Sequence, residues 1–108
     1  MRVVIGDDSV LLREGIARLL REEGIDVVEG AGDALELIAA VERQLPDLAI
    51  IDVRMPPTYS DEGLRAAIEI RRRWPQVALL VLSQFVEERY ASELLAGETS
   101  GIGYLLKD

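Results

Sequence analysis

Three carboxylates, a hydroxyl and an ammonium stand at places along this 108-residue chain where they could act together. Asp7 and Asp8 come just after the apolar triplet Val3-Val4-Ile5, and Asp52 directly follows Leu48-Ala49-Ile50-Ile51. Ser83 follows Val77 to Leu82, and Lys107 follows Ile102 to Leu106. Each therefore sits where a short apolar run ends. If the runs are parallel strands in the order 2-1-3-4-5, strands one and three are neighbours and their acids converge on one cleft. Open α/β sheets bind ligands in such a cleft, outside the carboxyl ends of the strands. Two like charges about 4 Å apart repel by roughly 4 kcal/mol at an effective dielectric near 20. A hard divalent cation relieves that conflict, and Mg²⁺ takes one or two carboxylates plus phosphate oxygens and water. Lys107 adds a positive charge and Ser83 a hydrogen-bond donor. The inventory suits phosphoryl transfer to an aspartate.

Each residue also has a plainer role open to it. Asp8 or Ser9 could cap the first helix. Asp52 could cap a turn before Met55-Pro56-Pro57, although a carboxylate directly after an apolar run is harder to explain structurally. Ser83 and Lys107, taken singly, are an ordinary strand-end serine and surface lysine. Tyr104, the aromatic of an apolar run, reads as partly core. Specificity lies in the set, one member or pair at each of four strand ends.

The elements that must position these groups alternate along the chain. Val3-Val4-Ile5, Val27-Val28, Leu48 to Ile51, Val77 to Leu82 and Ile102 to Leu106 read as five short strands. Most are continuous apolar runs, as parallel strands covered on both faces require. Val27-Val28, flanked by Asp26 and Glu29, reads as an edge strand. Between the strands the period changes. Leu12, Ile16, Leu19 and Leu20 share a helical face, as do Ala34, Leu37, Ile38, Val41 and Leu45, and then Leu64, Ala67, Ile68 and Arg71. Asp33 with Glu36 fits a capping pattern, Gly24 is placed to end the first helix, and Trp74 closes the third. Pro46 and Pro75 lie just beyond the second and third helices. A less regular fourth helix is expected over Val86 to Leu95. The sequence predicts a single α/β domain over residues 1–108, with right-handed crossovers. It lacks a helix after the fifth strand, so a covering helix is expected from sequence beyond Asp108 or from a partner.

Composition narrows the function. The chain carries 20 acidic and 12 basic residues, a formal net charge of −8, which makes this domain by itself a poor binder of nucleic acid. With no histidine, it can offer neither histidine acid–base catalysis nor a phosphohistidine. With no cysteine, it has no disulfide or thiolate metal site, which fits a cytoplasmic protein. No apolar run is long enough to span a membrane.

The Asp7-Asp8 pair, Asp52 followed by Met55-Pro56-Pro57, Ser83, and Gly103-Tyr104-Leu105-Leu106-Lys107-Asp108 together resemble a bacterial two-component receiver domain. Asp52-Val53-Arg54-Met55-Pro56 and the Gly103 to Asp108 segment are similar to the LuxR/NarL class of transcriptional response regulators. The resemblance implies a flavodoxin-like doubly wound, five-stranded parallel sheet. It implies that Asp52 accepts a phosphoryl group from a sensor histidine kinase. It also implies Mg²⁺ held directly by Asp8, Asp52 and the main-chain carbonyl of Arg54, with Asp7 acting through water. Ser83 and Lys107 would meet the phosphoryl group, and Tyr104 would be the switch aromatic. The output face would be helix four, strand five and the absent helix five, relaying to a DNA-binding domain that lies outside this chain. A homodimer is compatible with this, and a membrane partner is not implied. Gln84, where a small residue is common, and the long segment Gly97 to Gly101 depart from the pattern.

Three other functions compete. A Mg²⁺-dependent aspartyl phosphatase of the haloacid dehalogenase type wants an acid two residues after its nucleophile, and Arg54 stands there. A flavodoxin-like cofactor binder wants a phosphate loop after strand one, where Asp7 and Asp8 would repel the anion. A receiver that only binds or dimerises, without phosphorylation, would not need the full acidic set, Ser83 and Lys107.

Overall fold

The computed structural model describes residues 1–82 and, by the backbone alone, Ser83 and the strand 102–106. The elements run β1 (Arg2–Gly6), α1 (Val10–Glu22), β2 (Asp26–Ala31), α2 (Ala34–Gln44), β3 (Leu48–Asp52), α3 (Glu62–Arg73), β4 (Ala78–Ser83) and β5 (Ile102–Leu106). The strands form one parallel sheet in the order β2-β1-β3-β4-β5, as the alternation predicts. The helix expected over Val86 to Leu95, Gln84, the segment Gly97 to Gly101 and Lys107 lie outside the described residues.

Alternation along the strands sorts the core into two layers. Val4, Ala49, Ile51, Leu79 and Val81 point to the face covered by α2 and α3, where Leu37, Val41, Leu64, Ala67 and Ile70 are buried against them. Val3, Ile5 and Ile50 point to the opposite face, under Ile16, Ala17 and Leu20 of α1. Continuous apolar runs in the sequence are the imprint of this two-sided burial. Further across the α1 face, Leu48, Leu80 and Leu82 are only half-buried.

The structure corrects several details of the sequence reading. Of the face expected for α1, Ile16 and Leu20 pack on the sheet, joined by Ala17, whereas Leu12 and Leu19 are 36% and 65% exposed. Leu45, expected on the core face of α2, is the exposed residue that ends it, in left-handed conformation with φ 43°. The second strand is longer than Val27-Val28 and runs on through Glu29 and Gly30 to Ala31, pairing with Gly6. It is the edge strand expected, with a register irregularity opposite Val3 and Val4. Val77 is buried but precedes β4, which extends to include Ser83.

Helix ends follow the chemistry of their caps. The Asp33 side chain accepts from the Glu36 N–H at 2.8 Å, and the Glu36 carboxylate accepts from the Gly32 N–H at 2.9 Å. This reciprocal arrangement satisfies donors that the first turn leaves unpaired. Gly24 takes φ 79° just past α1, a left-handed conformation that glycine adopts without a Cβ clash. Arg73 of the last α3 turn stacks over the Trp74 ring at 4.3 Å.

The start of α3 is pressed onto the end of β3. Gly63 donates its N–H to the Val53 carbonyl at 2.8 Å, and a Cβ at Gly63 would fall 1.7 Å from the Asp52 carbonyl oxygen. Ahead of it, residues 54–61 form a loop closed by Glu62. Its carboxylate accepts from the Thr58 N–H at 2.7 Å, the Ser60 N–H at 3.0 Å and the Thr58 hydroxyl. The Thr58 hydroxyl bond, aided by the main-chain N–H groups, holds the Glu62 carboxyl down to about 2 from an ordinary 4.5, against the opposing effect of burial.

Two outcomes are expected. Gly63→Ala should cost about 2 kcal/mol or more in urea unfolding, because the added methyl meets backbone that cannot swing away. Glu62 has a lowered folded-state pKa, so its contribution is complete above about pH 4.5 and fades as pH falls from there through about 2. Melting temperature measured between pH 5 and 2 should therefore fall less steeply in Glu62→Gln than in the wild type; parallel curves would contradict the loop closure described.

Candidate functional site

Register brings the acids together. Gly6 pairs with Ile51, so Asp7 and Asp52 are the next residues on adjacent strands, both at carboxyl ends. Asp52 in turn pairs with Leu82, which leaves Ser83 one step further along β4. One carboxylate oxygen from each of Asp7, Asp8 and Asp52 lies within 4.8 Å of the other two. Asp7 is 1% exposed and Asp52 6%, while Asp8 sits on the solvent side.

The capping question raised by the sequence has a clear answer. Ser9 is the N-cap of α1, its hydroxyl accepting from the Leu12 N–H at 3.2 Å. Asp8 is not used there, so its carboxylate is left to the cleft. The Asp7 main chain continues the sheet by donating to the Ala31 carbonyl at 2.9 Å, and its Oδ1 accepts from the Ser9 N–H at 2.9 Å. Val53 likewise continues the ladder past Asp52, donating to the Leu82 carbonyl at 3.0 Å. The acids thus stand on backbone that is itself hydrogen-bonded into the sheet.

The donor set fits a hard cation. It is all oxygen, formally trianionic, and part-buried, which raises the cost of leaving the charges uncompensated. Oxygens around Mg²⁺ lie about 2.0–2.1 Å from the ion, hence up to about 4.2 Å apart. Small side-chain adjustments would bring these carboxylates to that spacing, as would an intervening water on one of them. Among the described residues this is the one cluster of its kind.

Of the other residues singled out in the sequence, Arg54 follows Val53 at the mouth of the cleft with an exposed side chain. Ser83 ends β4, and Tyr104 pairs with Val81 in β5; the structure fixes their backbone positions. Leu106 pairs with Ser83, and Lys107 falls outside the described residues. Sequence reasoning passed over Gly63 and Arg13. A lone glycine at the second position of a helix was the available signal for Gly63, since it marks a close backbone approach. Arg13 carried no such signal. Its Nη1 donates to the Asp7 carbonyl at 2.8 Å, a contact visible only once β1, α1 and β2 are assembled.

No helix among the described residues is long and apolar enough to cross a membrane. The profile of the response regulator receiver domain matches residues 3–108. The oxygen regulatory protein NreC of Staphylococcus epidermidis is 34% identical over the whole of this chain and 48% of its own length. The transcriptional regulatory protein DegU of Brevibacillus brevis is 36% identical, again over the whole chain and 44% of its length. This chain spans about half the length of the curated relatives it matches. Among solved structures, a two-component response regulator of the LuxR family from Aurantimonas sp. superposes with a TM-score of 0.80 at 28% identity, covering 99% of this chain and 74% of that one. With the acidic cleft at the carboxyl end of its parallel sheet, this chain belongs to the response regulator receiver domain family, in the LuxR/NarL-type subclass.

Proposed function

We propose that this domain is a phosphorylation-dependent switch in which Asp52 is the phosphoacceptor. The observation that carries the reading is the convergence of Asp7, Asp8 and Asp52 on one part-buried cleft. Two of these acids serve the third: by holding a cation they make Asp52 approachable by an anionic phosphoryl donor. In this reading Asp8, Asp52 and the Arg54 carbonyl would hold Mg²⁺ directly, and Asp7 would act through water. The ion supplies charge compensation for the phosphoryl oxygens. An Asp52 carboxylate oxygen forms the new O–P bond as the N–P bond of a phosphohistidine on a sensor kinase breaks. Asp52 is 6% exposed, which favours a small phosphoryl group over a bulky substrate.

Ser83 and Lys107 then bond to the phosphoryl oxygens, and Tyr104 follows the movement of Ser83. The added charge favours one of two loop arrangements, which is how a local modification biases a bistable element. Helix four, strand five and a fifth helix form the output face toward a DNA-binding domain in the longer protein. The relatives' names support a transcriptional output, since DegU is described as a transcriptional regulatory protein. The domain acts in the cytoplasm as a phosphoacceptor that assists only its own phosphorylation and dephosphorylation.

Incubation with acetyl phosphate and Mg²⁺ should add one phosphoryl group to the wild-type chain and none to Asp52→Asn, read by intact mass and peptide mapping. Modification mapped to another residue would sink the assignment. Mg²⁺ should also raise the melting temperature, since it binds the folded cleft alone; at 100 times its Kd the gain is about 2.7 kcal/mol. A melting curve unmoved by saturating Mg²⁺ would speak against the cation site.

A further inference from the structure

Arg13 has no part in the roles assigned above, yet it is anchored beside the site. It lies on α1 and is half-buried, running along the cleft between that helix and β2 instead of out into solvent. Its guanidinium Nη1 donates to the main-chain carbonyl of Asp7 at 2.8 Å. A glycine near the end of β2 makes room for it. A Cβ at Gly30 would fall 2.8 Å from Arg13 Nε and 2.9 Å from Cδ. Gly30 has no positive φ, so conformational freedom does not explain it, whereas passage of the arginine does.

Asp7 is held at three of its atoms. The Ala31 carbonyl takes its N–H, the Ser9 N–H binds its Oδ1, and Arg13 grips its carbonyl. That carbonyl belongs to the peptide bond joining Asp7 to Asp8, so its rotation would re-aim both carboxylates at once. A charged donor on a carbonyl makes a stronger bond than a neutral one. We propose that Arg13 is a positioning residue for the acidic cleft, clamping the Asp7–Asp8 peptide so that both side chains face Asp52. The proposal rests on the divalent-cation reading given above. Partners that orient metal ligands without touching the metal typically change affinity by 10–100-fold when removed.

The test is a Mg²⁺ titration of the wild-type chain, Arg13→Met, Arg13→Lys, Gly30→Ala and the Arg13→Met/Gly30→Ala pair, followed by melting temperature and by amide shifts of Asp7 and Asp8. Arg13→Met is expected to weaken Mg²⁺ binding roughly tenfold. Gly30→Ala should do the same with the arginine charge retained, because the new methyl displaces the guanidinium. The pair should be no worse than the more affected single variant, and Arg13→Lys should recover part of the loss. If Arg13→Met does not fold, Gly30→Ala carries the test by itself. Wild-type affinity in both single variants would overturn the proposal, as would fully additive losses in the pair. Tighter binding in Arg13→Met would also overturn it, since Arg13 would then be a charge opposing the cation. A wild-type chain that binds no Mg²⁺ would overturn the cation reading itself, whereas wild-type binding with unmoved variants would overturn only the role of Arg13.

Discussion

Mutual repulsion among Asp7, Asp8 and Asp52 is the constraint around which the rest of the molecule is arranged. Carboxylates left to themselves move apart into water. Holding three of them within a few ångströms requires backbone that cannot yield, because each part-buried charge gains by escaping. A parallel sheet supplies such backbone. Asp7 and Asp52 are consecutive with residues locked in the central ladder, and the N–H groups of Asp7 and Val53 extend that ladder past the nominal strand ends. The apolar layers on either face then hold the ladder itself in place.

The cluster also explains why neighbouring polar groups are committed elsewhere. Ser9 caps α1, which relieves Asp8 of that task, and Glu36 and Asp33 cap α2 between them. Glu62 is engaged with Thr58 and Ser60 in its own loop. Acids abound in this chain, yet Asp33, Glu36 and Glu62 are tied into their own helix caps and loop, and the trio alone converges on one cleft among the described residues. A net charge of −8 would otherwise make any acidic patch unremarkable.

Much of this was legible in the residues. Two-sided strands announced themselves as Leu48 to Ile51 and Val77 to Leu82, and the order of elements then placed Asp7, Asp8 and Asp52 at one end of the sheet. The capping pair Asp33 and Glu36 also read correctly, because capping is local and spacing encodes it. What spacing does not encode is where a helix stops being covered. Leu12 and Leu19 belong to the same periodic stripe as Ile16 and Leu20, but only the tertiary placement of α1 decides which of them meet the sheet. Nor does it encode contacts among distant segments. The fit of Arg13 past Gly30 depends on β2 lying beside α1, and the lack of room for a side chain at Gly63 depends on how α3 meets β3.

That close approach has a mechanical corollary. With no side chain between Gly63 and the Asp52 carbonyl, and with Gly63 bonded to Val53, the end of β3 and the first turn of α3 have no slack between them. A shift of a few tenths of an ångström in the Asp52 backbone cannot be absorbed by a rotamer change, for none is present to change. It passes straight into a rigid rod of 12 residues, about 18 Å long. The far end of that rod, with Arg71, Arg72, Arg73 and Trp74, would swing through a larger arc than the displacement that started it, giving the molecule a built-in lever on the side of the sheet opposite α1.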